Sequence, residues 1–491
     1  MILSNARIGD RLLDIRIGRG VITEMGAGLD ALPQGNREAN REGDGERVDL
    51  DGRWVSPGLW DNHVHFTQWT LTTQRVDVSA AASAQEAAAL MAAALTSAVS
   101  LNPGLLVGGG FRDALWPDAP TREILDGATG VVPTVLVSGD LHSVWLNSTA
   151  LAIYGHAGHP TGLLTEDAAF EVQRQLGTVP DEVTDAWARS AARAAARRGV
   201  VGIVDFEMTW NLEVWQRRIA SGHDALRVEF AIYRQHLERA IAQGLHTGDR
   251  VDALLSVGGF KVLADGSLNT RTAYTIDPYE DGSHGELTVP PAALVPLMRR
   301  ASDAGIRPHI HAIGDRANTI VLDAFETIGR GGRIEHAQLL AESDLPRFGR
   351  LGVIASVQPE HAMDDRDVAE RYWPDRTLRM YPLRSLLDAG ATLLLGSDAP
   401  VAPLDPWVAI AAAVSRQRDG REPWHPEQRI SPAEAIAAST RTTVAIGQPA
   451  DLVVTELDPL TATGDELRAM PVAATLLAGR FTHQGLANFG G

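Results

Sequence analysis

The segment "LWDNHVHF" (residues 59–66) carries two histidines one residue apart, His63 and His65. On a strand, residues i and i+2 point the same way, so the two imidazoles would project together. Neutral imidazole is a good ligand for zinc and similar metals. A bare His-x-His is ordinarily two structural histidines bonded to backbone, and only company changes that balance. Here there is company. His311 stands near the end of "IRPHIHAIG", His336 ends "RIEH" and Asp398 lies in "LLLGSDAP". Lys261 sits inside the apolar run "GGFKVLADG". A buried lysine loses its proton readily. The neutral amine can then capture carbon dioxide as a carbamate, a two-oxygen ligand able to bridge two cations. The plainer alternative pairs Lys261 with a carboxylate such as Asp265.

Such residues can meet only if the fold brings them together. Eight apolar strand candidates cover 53–61, 200–206, 226–233, 258–266, 306–314, 332–338, 352–359 and 391–400. Most are separated by helical stretches. The clearest, 181–199, has an acidic first turn, a basic last turn and a glycine stop. Near-continuous apolar strands alternating with helices predict a parallel sheet covered by helices. Eight of them predict an α/β fold of the (β/α)8 TIM-barrel type, with the active site at the C-terminal ends of the strands. His63, His65, Lys261, His311, His336 and Asp398 all fall on candidate barrel strands or at their ends.

Both chain ends, 1–52 and 448–491, alternate apolar and polar residues as half-buried strands do. They predict a small composite β-sandwich domain beside a barrel spanning 53–447. The gap after the first strand, about 67–180, predicts an insertion that covers the barrel mouth. It opens with a Ser83…Glu86 capping signal.

The 491 residues are 44% hydrophobic and carry a formal charge of −18. A surface that negative argues against nucleic acid or an anionic membrane as a partner and leaves a small-molecule substrate. There is no cysteine, so a metal must be held by His, Asp, Glu or a modified side chain. The N-terminus has scattered charges and no apolar core, so a cytoplasmic location without a signal peptide is expected. A homodimer is compatible with the size, and no sequence feature decides it.

The stretches "PGLWDNHVHF", "SGDLHSVWLNS", "TGLLTE", "GFKVLADGSLNTRTA", "HIHAIGDRA", "RIEHAQ", "GSDAPV" and "ADLVV" occur in this order. In them the chain resembles the metal-dependent amidohydrolase superfamily, in particular amidohydrolase family 3 with its N-substituted formamide deformylase-like proteins. The resemblance implies a barrel with a β-sandwich built from both termini. It implies hydrolysis of a non-peptide carbon–nitrogen bond, such as an N-substituted, N-formyl or cyclic amide, by metal-activated water. It also implies roles. His63 and His65 would bind the buried metal. Carbamylated Lys261 would bridge to a second metal held by His311 and His336. Asp398 would touch the first metal and carry the proton of the reacting water. One or two divalent ions, zinc foremost, are expected.

Further site residues are read more loosely. His142 is expected to enter the pocket from the insertion as a catalytic group holding the substrate oxygen; a loop histidine bonded to Asp140 is the ordinary alternative. Asp315 and Arg316 are candidates for orienting a ligand histidine or binding substrate, against an exposed ion pair. Trp69, with Trp60, Trp116 and Trp145, is a candidate for lining an apolar pocket. Glu335 should face away from the site, because His336 follows it on the strand. His309 shares a face with His311, and His361 is placed at the pocket rim. A deaminase of the same superfamily is the nearest alternative. It typically carries a glutamate soon after the fifth-strand histidine and lacks the strand-four lysine, whereas this chain has "AIGDRA" and Lys261. A non-catalytic metal-stabilised binding or regulatory protein is the third reading, opposed by the intact ligand set.

Overall fold

The computed structural model describes residues 1–29, 46–95, 104–176 and 179–486. Eight parallel strands form its centre, numbered here in chain order: β1 (Leu59–Val64), β2 (Val200–Asp205), β3 (Arg227–Tyr233), β4 (Leu255–Leu263), β5 (Pro308–Ala312), β6 (Arg333–His336), β7 (Ile354–Val357) and β8 (Leu393–Leu395). Their spatial order follows the chain. The sheet closes nearly completely, through a parallel bridge between Val64 and Ala399. Two backbone bonds at that seam matter for the site: His65 N–H donates to Ala399 O at 2.8 Å, and Asp398 N–H donates to His63 O at 2.7 Å. Closing the barrel thus joins the two ends of the chain's histidine–aspartate set.

The strands are apolar because both faces are covered. β2, "VVGIVD", is buried at every position. Helices pack outside, among them Asp181–Ala196, which begins with Asp181 and Glu182, carries Arg193 in its last turn and buries Ala188, Ala191, Ala192 and Ala195. The charges complement the helix dipole.

The single first strand expected over 53–61 is in fact two. Trp54–Pro57 pairs antiparallel with Leu452–Thr455, and Leu59–Val64 enters the barrel beside β2. Pro57 cannot donate a ladder hydrogen bond beyond this point. Gly58 makes the crossing against Val201, where a Cβ would lie 2.4 Å from a valine methyl. Strands from both chain ends share one eight-stranded sheet: Ile2–Ile8, Arg11–Gly18, Val21–Gly26, Arg47–Asp49, Trp54–Pro57, Leu452–Thr455, Val472–Leu477 and Arg480–Gln484. It has its own core of Leu3, Ile15, Val48, Leu452 and Leu476.

Between β1 and β2 lies a five-stranded sheet of Val76–Asp77, Leu106–Phe111, Thr134–Ser138, Ser143–Leu146 and Leu163–Thr165. The helix Ala84–Ala94 starts there, with Ser83 Oγ accepting from Glu86 N–H. Among the described residues, no helix is long and apolar enough to cross a membrane.

Candidate metal centre and pocket

His63 lies within β1 and His65 just past it. The strand pleat turns both toward the C-terminal mouth, where their ring centroids stand 5.8 Å apart. Asp398 follows β8 in the left-handed region, at φ 57°. Its Oδ1 lies 3.5 Å from His63 Nε2 and 3.4 Å from His65 Nε2. His336 ends β6 at φ 75°, and its ring sits 5.1 Å from that of His63 and 4.5 Å from that of His311. Lys261, on β4, points inward with Nζ 3.4 Å from His63 Nε2 and 4.3 Å from the centre of the Phe206 ring. So the barrel brings together all six residues expected at the metal, from five different strand ends.

Ligand atoms of His63, His336 and Asp398 all lie within 4.8 Å of one another. The chemistry of this set fits a divalent cation. Burial, with the nearby Lys261, keeps His63 well below the usual histidine range. Burial and the neighbouring His311 do the same to His336. His311 is pushed down to about 3, again mainly by burial. These imidazoles are therefore neutral and offer lone pairs. Asp398 is buried, which opposes its charge, yet its carboxyl stays below the usual range, with His65 Nε2 within reach of it. Its Oδ1 and the Nδ1 atoms of His65 and His336 are buried without a well-aligned hydrogen-bond partner, which is costly unless something else occupies them.

These groups share one cavity with His142, Phe170 and Leu115 of the segment between β1 and β2, with Leu268 after β4, and with His361 and Val368 of the helix His361–Tyr372. Arg112 ties that segment to the helix by a 3.1 Å bond to Asp364. His142 does enter the cavity. Its backbone N–H donates to Asp140, but its ring pairs with Glu166 at 2.9 Å. Burial disfavours the imidazolium, and the Glu166 bond and charge outweigh it, lifting His142 to about 9. Glu166 in turn falls to about 2, because His142 and the hydroxyls of Thr270 and Thr272 overcome its own burial.

Other expectations are corrected by position. Glu335 does not pack behind the barrel. It is fully buried inside, accepting from His63 Nδ1 at 2.8 Å. Strand alternation turns Glu335 inward with Arg333, and the left-handed backbone at His336 ends that alternation, so consecutive residues both reach the interior. Lys261 is not paired with Asp265, which instead accepts the backbone N–H groups of Tyr274, Ile313 and Gly314. Asp315 is buried rather than exposed, bonded to Ile276 N–H and Arg379. Arg316 stacks on Tyr274. Trp69 packs against Phe66, Trp60 lies under Arg441, and Trp116 and Trp145 meet edge to face within the insertion core. Asp315, Arg316 and these tryptophans are not among the residues lining the cavity. Glu166 and Glu335 join the site through His142 and His63 without a signal in the sequence. "TGLLTE" and "RIEHAQ" contain them, but nothing in either stretch says which histidine each will meet.

A (β/α)8 barrel with imidazoles, a lysine and a carboxylate gathered at its C-terminal mouth defines a metal-dependent hydrolase. The chain belongs to the amidohydrolase family, whose pattern it matches over residues 46–483. It is 32% identical over 443 residues to Protein LONG AFTER FAR-RED 3 of Arabidopsis thaliana, covering 81% of this chain and 75% of that one. It is 26% identical to the N-substituted formamide deformylase of Arthrobacter pascens, over 89% of each. In fold it is similar to an uncharacterized metal-dependent hydrolase from Pyrococcus horikoshii, with TM-score 0.77, 24% identity and coverage of 94% of this chain and 99% of that one.

Proposed function

We propose that the protein hydrolyses a non-peptide carbon–nitrogen bond in a small, partly apolar amide, such as an N-substituted or N-formyl amide. The convergence of His63, His336 and Asp398 in one buried cavity carries this reading. His63, His65, His311, His336 and Asp398 would hold one or two zinc ions. Lys261 is brought down to about 8 by burial. Enough of it is then neutral at physiological pH to add carbon dioxide, releasing one proton and gaining two ligand oxygens. A bound divalent cation supplies acidified water and a polarised substrate carbonyl.

The chain's own groups do the rest. Asp398, an ionised acceptor, takes the proton of the attacking water as the carbon–oxygen bond forms. It returns that proton to the nitrogen as the carbon–nitrogen bond breaks, because an amide nitrogen leaves poorly without one. His142, kept charged by Glu166, donates a hydrogen bond to the substrate oxygen as negative charge develops there. Leu115, Phe170, Leu268 and Val368 offer an apolar wall for the substituent on nitrogen. The test is a panel of N-formyl, N-acyl and cyclic amides, with esters alongside, offered to zinc-loaded protein. Release of amine from at least one apolar N-substituted amide is expected. A metal-loaded protein inert to the whole panel would sink the reading.

A further inference from the structure

Below the candidate metal centre, the barrel interior is charged where such barrels are usually filled with branched apolar side chains. Glu335 and Arg333, two apart on β6, are both buried. One Glu335 oxygen receives His63 Nδ1 at 2.8 Å. The other lies 3.0 Å from Arg333 Nε and 3.8 Å from His309 Nδ1. Arg333 Nη2 donates to Asn62 O at 2.9 Å and to Ser356 Oγ at 2.8 Å. Gly259 on β4 leaves the space that the His309 ring fills, since a Cβ there would lie 2.4 Å from it.

Stability does not account for this pair. Taking a carboxylate and a guanidinium out of water costs several kcal/mol each, and apolar replacements of similar size are often neutral or stabilising. Geometry accounts for it better. A carboxylate accepts and cannot donate, so Nδ1 of His63 must carry the hydrogen. Nε2 then keeps its lone pair, and Nε2 is the atom that faces Asp398 and Lys261. Among the described residues, His65 and His336 find no comparable bond at Nδ1.

We propose that Glu335 is a positioning residue, braced by Arg333, that fixes the ring and tautomer of His63 so that Nε2 is set in advance to bind a divalent cation. This rests on the metal-centre reading above, but not on the identity of the substrate. Partners of this kind typically tune metal affinity by about 10–100-fold.

Two measurements on the metal-free protein test it. Zinc affinity is measured by competition with a chromophoric chelator in the wild type, in Glu335→Leu, which cannot accept from Nδ1, and in the double variant Arg333→Met with Glu335→Met. In parallel, nitrogen-15 histidine spectra of the wild type, with His63 assigned by loss of its signal in His63→Asn, report the tautomer. The expected results are a Nδ1-protonated His63 and about 10–100-fold weaker zinc binding in both variants. The double variant removes both charges together, so it keeps the affinity test alive if the single variant fails to fold. A Nε2-protonated His63, or unchanged zinc affinity in either folded variant, would overturn the role of Glu335 and leave the metal centre standing. A wild type that binds no zinc would overturn the metal centre itself, and this role with it.

Discussion

Glu166, as an acceptor, lets His142 keep a proton that an ordinary histidine has largely lost at neutral pH. The shift has a definite sign. His142 is raised from 6.5 to about 9 in the folded protein, so its share of stability is complete below about 6.5 and is lost as pH rises through about 9. Glu166 is depressed from 4.5 to about 2, so its share is complete above about 4.5 and is lost as pH falls through about 2. If His142 acts as a charged donor, kcat/KM falls on the alkaline side near pH 9. In Glu166→Gln that limb should move down toward the ordinary histidine value by more than one pH unit, as read from the pH–rate profile. Asp398→Asn should keep the fold and lose about 10²–10⁴-fold in kcat, the usual span for a positioned proton carrier. Near-normal turnover in that variant would remove Asp398 from the proton path.

At the scale of elements, the site depends on how closely β8 approaches β1. Gly396 follows β8, and a Cβ there would sit 2.7 Å from His63 N and 2.8 Å from His63 Cβ. Those are backbone and near-backbone atoms, which cannot swing aside. Gly396→Ala should therefore cost about 1–3 kcal/mol, as overpacking of a core generally does. It should also weaken metal binding, because His63 must shift. Denaturant midpoints and zinc titration measure the two effects separately. A substitution as small as one methyl can act this far because the seam bonds from Asp398 to His63 and from His65 to Ala399 share the same narrow gap.

The whole molecule assembles a cavity that no single element owns. Its floor comes from barrel strands and its wall partly from the segment between β1 and β2, held to the helix His361–Tyr372 through Arg112 and Asp364. Leu115, 44% exposed, belongs to that wall. Leu115→Ala should lower kcat/KM for a bulky N-alkyl or N-aryl amide by about 10-fold, in the range set by apolar contacts of one to a few methylenes. It should leave unsubstituted formamide nearly unchanged, which parallel kinetics would show. Removing metal should lower Tm across the protein, since an ion bound only by the folded state stabilises it by about 2.7 kcal/mol at a hundred times its Kd. Scanning calorimetry before and after chelation, with zinc restored, measures it.

The sequence by itself determined the eight strands of the barrel and put His63, His65, Lys261, His311, His336 and Asp398 on those strands or just past their ends. Apolar runs of strand length, spaced by helices, leave few other folds, and a histidine, lysine or aspartate at the end of such a run is placed by its strand. The tertiary structure alone decided what those residues touch. It split the first strand at Pro57 and Gly58. It turned Glu335 inward, joined His142 to Glu166 and left Trp60, Trp69, Trp116 and Trp145 out of the cavity lining. Strand periodicity is local and can be read along the chain. The partner across a barrel, or across the segment between β1 and β2, is fixed only when distant segments close on one another.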